Sequence, residues 1–397
     1  MKQEAFLKTN SKNRSAEESL GLLTGAIPIH ISTARNILQI RRHQITAMKQ
    51  TDRTNHGIPL CVGYNSMVEE PFSLLVGKYK DYIGEVYYAF PDTASGRSVY
   101  GSETGYKDYF ALETLMHDLK EIKSMGIKTD LLLNANYNGE DALSVAHERS
   151  VISVLEYLDS ENLCPDIVTT TSPVTAKIIH NFSDKIDVRA SVNMRIATIK
   201  GVQYLEDLFD SFCICRDINR CPEELDVLTA YLKSQKKGIS MLVNSGCLRN
   251  CSMQTFHDNA VAHEKEIMTK LNLSWAGSSG CRGYLSKKEN MHAFLQNTWI
   301  RPEDVHNYKG KVDCIKLATR MHALPTMVID AYARGRYYGN LADLFEPGHG
   351  PLFAPYVIDN ERFPKDWFER TTKCRKNCHE CDYCKQVWEK VIINTEH

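Results

Sequence analysis

The sequence lacks several features that would direct it to a simple class. It has no run of 18 apolar residues, so no segment reads as a membrane-spanning helix. Its first 32 residues are polar and mixed in charge, without the apolar stretch of a secretory signal, and the expected location is the cytoplasm. Charge of one sign is not in excess: 48 basic and 49 acidic residues leave a formal net charge of -1. Bulk electrostatics therefore gives no reason to expect a nucleic-acid binder, and RNA is the less favoured partner. There is no His-Glu-x-x-His zinc motif and no Gly-x-Ser-x-Gly elbow, which removes the two commonest local signatures of a hydrolase. With 43% hydrophobic and 24% charged residues, the composition is that of a globular protein.

Cysteine is what the chain has in quantity, 13 in 397 residues. In a reducing compartment disulfides are rare, so cysteines at short spacings point to metal or cluster ligation. Four lie within eleven residues, Cys374, Cys378, Cys381 and Cys384. Their C-x2-C-x2-C core is the spacing by which bacterial ferredoxins supply ligands to a [4Fe–4S] cluster; zinc is the alternative. A second group is dispersed. Cys247 and Cys251 follow Val243-Asn244-Ser245-Gly246, and Cys281 stands after Gly277-Ser278-Ser279-Gly280. Three thiolates on a loop suit an iron–sulfur cluster or zinc, and spacing does not fix a fourth ligand; Cys314 and His306 are the nearest candidates downstream. Cys61, Cys164, Cys213, Cys215 and Cys221 read as core packing.

Apolar and β-branched runs predict strands at Ile58–Tyr64, Ile83–Tyr88, Lys128–Asn134, Asp166–Thr171, Asp187–Val192, Ser211–Cys215, Gly238–Asn244 and Val312–Leu317, with amphipathic helices between them. Eight such units predict a (β/α)8 TIM-like barrel over residues 56–345; a doubly wound open sheet is the alternative. Residues 1–55 read as an N-terminal helical arm able to dock a protein partner or paired subunit, and residues 346–397 as a C-terminal cysteine-rich segment. In a barrel the active site lies at the C-terminal strand ends. Asn134, Asn193, Arg195 and Arg320 are the expected catalytic residues there, and Tyr88, Asn136, Arg216 and Asn244 the expected substrate-binding ones. Arginine forks suit a carboxylate of a small-molecule or peptide substrate. The connection from the seventh to the eighth strand is unusually long, and it carries Cys247, Cys251 and Cys281.

Asn244-Ser-Gly-Cys-Leu-Arg-Asn-Cys251 with His257, then Cys281-Arg, Arg301-Pro-Glu-Asp-Val305 and Lys316-Leu-Ala-Thr-Arg320 occur in an order that resembles the collagenase-like peptidase family U32. The resemblance spans roughly residues 58–345. Members include proteins named as peptidases, anaerobic ubiquinone-biosynthesis proteins that work as a pair, and RNA hydroxylation proteins. Through its hydroxylation members it implies a [4Fe–4S] cluster and oxygen-independent hydroxylation, with prephenate as oxygen donor; the four C-terminal cysteines suggest a second cluster. The glutamate of the family's Lys-Ile-Glu-Gly-Arg segment is absent here, and the C-terminal four-cysteine group is not a general family feature. A hydrolase using Cys251 and His257, or a non-catalytic iron–sulfur partner subunit, are the competing functions.

Overall fold

The structure is a computed structural model and describes residues 57–91, 93, 95–96, 109–262 and 280–396. The predicted N-terminal arm lies outside the described residues. Eight parallel strands close into a barrel in sequence order: β1 (Leu60–Gly63), β2 (Ile83–Tyr88), β3 (Lys128–Leu133), β4 (Ile167–Thr170), β5 (Asp187–Ala190), β6 (Ser211–Ile214), β7 (Gly238–Leu242) and β8 (Cys314–Leu317). β1 pairs with both β2 and β8, which completes the ring. The (β/α)8 expectation is met and the open sheet is excluded.

The helices on the outside are α1 (Phe72–Lys78), α2 (Tyr109–Ser124), α3 (Val145–Ser160), α4 (Pro173–Phe182), α5 (Ile199–Gln203), α6 (Pro222–Ser234), α7 (Gln254–Ala262), α8 (Gly280–Leu285) and α9 (Pro325–Arg334). Their starts follow local rules. The Ser172 hydroxyl caps α4 by accepting from the Thr175 amide, and Pro173 holds its first turn. α6 begins with Pro222, Glu223 and Glu224, so acids sit at its positive end. Among the described residues, no helix is long and apolar enough to cross a membrane.

Successive strand residues alternate between the outer layer and the barrel interior. The outward set, including Val62, Val86, Tyr88, Leu131, Val168 and Ile214, joins the helices in one hydrophobic core. The inward set is strongly polar. Arg189 on β5 donates to both carboxylate oxygens of Glu85 on β2, at 2.5 and 2.9 Å, across the barrel axis. Its Nη1 is also 3.5 Å from Asp130 on β3, and Lys316 Nζ on β8 is 3.8 Å from the same carboxylate. Burial alone would raise the Glu85 carboxyl, yet the Arg189 guanidinium outweighs it and holds it at about 2. For Asp130 burial dominates, and Lys316 offsets it only in part, leaving it near pH 7, at about 7. Four charges thus fill the barrel's middle where aliphatic layers usually sit.

The C-terminal segment packs on the barrel through aromatics. It contains α10 (Trp367–Thr372), α11 (Tyr383–Val391) and a two-stranded sheet of β9 (Tyr356–Ile358) with β10 (Ile392–Asn394). Trp299 from the β7–β8 connection stacks on Phe345 at 5.1 Å and on Trp367 at 6.0 Å. Arg220, 6% exposed, donates to the carbonyls of Trp299 and Leu295 and lies 4.2 Å from the Trp299 ring centroid. Burial drives its guanidinium down to about 10. The Arg301-Pro-Glu-Asp segment is part of the same seam. Arg301 makes a two-pronged pair with Asp304, and Glu303 accepts from the Tyr337 amide and the Asn360 side chain.

Candidate active site at the barrel mouth

The strand ends converge as a barrel requires. Asn134 follows β3, and its Oδ1 accepts from the Gly96 amide at 2.9 Å. A Cβ on Gly96 would stand 3.3 Å from the Nδ2 atoms of both Asn134 and Asn193, so these two amides meet beneath that backbone and only glycine fits there without displacing them. Arg320, after β8, donates to the buried Ser95 hydroxyl at 3.4 Å. Ser95 and Gly96 therefore sit over the mouth, held by two of the four expected catalytic residues, Asn134 and Arg320, with Asn193 close by.

Arg195 occupies the left-handed region, with φ of 56°, at the end of a short 3-10 helix over Val192–Met194. It donates to Thr255 and Asp258, each at 3.1 Å. Asn136 reaches the same Asp258. Both partners lie on α7, which starts just after Cys251, so the arginine joins the end of β5 to the cysteine loop. Arg216, 8% exposed, donates to Ser245 at 3.3 Å. Burial works against its charge, but Cys247 and Asp258 nearby hold it above its ordinary value. Three buried polar atoms here have no protein partner: Asn136 Oδ1, Arg195 Nε and Arg216 Nη2. Buried polar groups normally pair, so these two donors and one acceptor make the mouth a candidate site for a polar ligand.

Cys247, Cys251 and Cys281 are each half-buried. The thiol of Cys281, on α8, is raised by burial and further by Cys247 and Cys251, which are its electrostatic neighbours. The loop that carries Cys247 and Cys251 is tied on several sides. The Ser245 backbone bridges Glu346, and the Gly246 amide donates to the Glu346 carbonyl at 3.0 Å. A Cβ on Gly246 would come within 2.2 Å of the Pro347 carbonyl oxygen, so the approach requires glycine. The Gly246 carbonyl accepts from Asn297 and from His349 Nε2, both at 3.1 Å. Burial drives the fully covered His349 down to about 4, with Arg282 adding to the effect, so the ring is neutral.

At the C-terminus all four cysteines are neighbours. Burial pushes the Cys384 thiol up to about 12, and Cys378, Cys374 and Cys381 each add to it while Arg220 opposes. Arg249, between Cys247 and Cys251, reaches the Cys221 sulfur at 3.6 Å and also lies near Cys378. The loop between Cys247 and Cys251 thus sends an arginine toward the C-terminal cysteines.

Four expectations are corrected. Tyr88 is fully buried in the layer between barrel and helices and does not face the mouth; Tyr87, one residue earlier, is the inward side chain, with its hydroxyl donating to the Leu317 carbonyl at 2.8 Å. Asn244 is also fully buried: its Nδ2 donates to the Ala318 and Leu344 carbonyls and its Oδ1 accepts from the Ala318 amide. It fastens β7 to β8 and has no capacity left for a substrate. Cys314 lies in the barrel interior beside Cys61 and Glu85, at the N-terminal end of β8 and away from the mouth. His306, in a 3-10 helix ahead of β8, is exposed, and its Nδ1 contacts the Glu303 carbonyl. Neither serves the cysteine trio. Cys61, Glu85 and Cys314 do lie within 4.8 Å of one another, but Glu85 is already engaged by Arg189. The interior charges were missed because each appears as a single charge in a short apolar strand; the visible signal was Glu85, Asp130, Arg189 and Lys316, one per strand.

No protein-family model matches the chain. In sequence it is 26% identical over 314 residues, 78% of this chain and 88% of the relative, to an uncharacterized protease of Methanocaldococcus jannaschii. Among solved structures it is similar to a U32 peptidase, at a TM-score of 0.45 and 13% identity over 68% of this chain and 96% of that one. It also matches a member of the enolase superfamily from Listeria innocua, at a TM-score of 0.30 and 13% identity, over 54% of this chain and 50% of that one.

Proposed function

We infer that this U32-type barrel is an iron–sulfur enzyme that hydroxylates its substrate without O2, the source of the hydroxyl oxygen being a dicarboxylate such as prephenate. The observation that carries the reading is the pairing at one mouth of a thiol trio with arginines that have unsatisfied donors. Cys247, Cys251 and Cys281 would hold a [4Fe–4S] cluster, which would supply electrons at the pocket. Arg216 and Arg195 would orient a carboxylate through paired N–H groups. Asn134 and Asn193 would bind hydroxyl or carbonyl oxygens beneath Gly96. The Ser95–Gly96 backbone above Asn134 and Asn193 would help keep water from a reactive intermediate. Cys374, Cys378, Cys381 and Cys384 would hold a second cluster, or zinc. Substrates of this reading are small molecules or peptides, with RNA less favoured, and a paired subunit would dock on the N-terminal arm in the cytoplasm.

Anaerobically purified protein should be brown, absorb near ~400 nm and contain about four or about eight irons with matching sulfide. A colourless protein with stoichiometric zinc overturns the reading. The relative's name supports peptide hydrolysis instead, with Cys251 as nucleophile. The Cys251→Ser variant separates the two. Loss of iron supports the cluster; full iron content with loss of peptide cleavage supports the hydrolase.

A further inference from the structure

We propose that Asp258 is a latch: an internal carboxylate that holds Arg195 on α7 until the carboxylate of a substrate takes its place and frees the helix. The inference rests on the reading of the barrel mouth as a carboxylate pocket, and it gives α7 a role in admitting the substrate.

Arg195 is committed to α7 through both of its terminal nitrogens. Nη1 donates to Thr255 and Nη2 to Asp258, each at 3.1 Å. The remaining nitrogen, Nε, is enclosed without a partner. A guanidinium grips a carboxylate through two parallel N–H groups on neighbouring nitrogens. With the terminal pair in use and Nε enclosed, Arg195 has no such edge to offer while α7 stays in place.

The latched state is itself incomplete. The buried Nε–H goes unmet, which costs free energy. A carboxylate bound across Nε and Nη2 would meet it. The backbone of Arg195 is in the left-handed region, at φ of 56°, although the residue carries a full side chain. Strain of this kind concentrates at ligand clamps and switch regions. Asp258 is not abandoned when Arg195 leaves it. Asn136 Nδ2 lies 3.5 Å from its carboxylate, and Arg216 is a further positive neighbour. Arginine on Asp258 and arginine on substrate therefore differ by the exchange of one carboxylate for another, and the two arrangements can compete.

α7 suits a part that moves. Of its nine residues only Gln254 and Val261 are buried, and Phe256 stands exposed. Its first amide, that of Gln254, donates to the Cys251 carbonyl at 3.1 Å, so a shift of the helix is carried straight to the cysteine loop. Occupancy of the pocket is thereby felt at Cys251.

The test uses the anaerobically purified full chain with prephenate as the probe carboxylate. It reads amide hydrogen exchange over Gln254–Ala262 and the Kd from calorimetry. A bound ligand ordinarily protects the helix that contacts it. Here exchange in α7 should rise about 5-fold or more when prephenate binds, and Asp258→Asn should show the raised rate without ligand. The same variant should bind prephenate about 5-fold to about 10-fold more tightly, because Arg195 is already released. Asp217→Asn removes another negative neighbour of Arg216 but leaves the latch, and should change the affinity by less than about 2-fold. Protection of α7 by prephenate, or weaker binding by Asp258→Asn, overturns the latch and makes Asp258 a fixed support of Arg195. Equal tightening in Asp217→Asn overturns it in favour of bulk charge. In each of these outcomes prephenate still binds and the carboxylate pocket stands. If prephenate binds neither the parent chain nor Asp258→Asn, the pocket reading fails first, and the latch with it.

Discussion

The two cysteine groups are built in opposite ways. At the C-terminus, four thiols lie in one turn of eleven residues, and three of the four side chains are exposed. At the mouth, three half-buried thiols come from a loop after β7 and from α8, about thirty residues later, and the loop is tied to the chain near residues 297 and 346–349. The first group is a local device set on the surface of an aromatic seam. The second exists only once the barrel and the C-terminal segment have met. Damage to the first should stay local unless it reaches the seam, whereas the second should fail with the fold.

The strongest test of that contrast is the support beneath the C-terminal group. Trp367→Ala should cost about 4 kcal/mol in urea unfolding, because Trp367 stacks on Trp299 of the barrel's own connection and leaves a large cavity. A change below about 1 kcal/mol would mean that the segment is independent of the barrel. Next, Arg220→Met should cost about 3 kcal/mol, since the Trp299 and Leu295 carbonyls lose buried donors. The third test separates the barrel by pH. Asp130 titrates at about 7 in the folded chain, above its ordinary 3.8, so its cost is absent below pH 4 and grows as pH rises to 7. Glu85 has the opposite sign: its stabilisation is present above pH 4.5 and is lost as pH falls toward 2. Urea midpoints between pH 5 and 8 should fall in the parent chain and stay flatter in Asp130→Asn. The smallest effect is expected for Cys381→Ser, below about 0.5 kcal/mol in metal-free protein, as for surface substitutions in general, with a clear loss of bound metal when the native protein is analysed.

The difference between the groups also explains what could be read from the sequence. The C-terminal four are legible because their ligand spacing is contained in one short window. The eight strands are legible because each is a short apolar run, although Asn134, Val192 and Asn244 fall just past the observed ends. Arg195 and Arg216 were found at strand ends, where position alone selects them. Tyr88 failed by one residue, since a single step along a strand reverses the face. Asn244 failed because its side chain is used by backbone 74 and 100 residues away. The Glu85–Arg189 pair spans 104 residues, and nothing local shows that two isolated charges will face each other across a closed barrel. His349 is remote from Gly246 in the same sense, 103 residues away, yet its ring meets that carbonyl.

The bridge from Ser245 to Glu346 has a consequence for the order in which the molecule is made. Synthesis proceeds from the N-terminus at about 5–20 residues per second, and early segments can fold while later ones are still in the ribosome. All eight strands emerge by residue 317, but the partner of Ser245 and Gly246 is Glu346, which comes later. A nascent barrel can close its ring before its mouth is tied, so the loop that carries Cys247 and Cys251 reaches its final course only when the last fifth of the chain arrives.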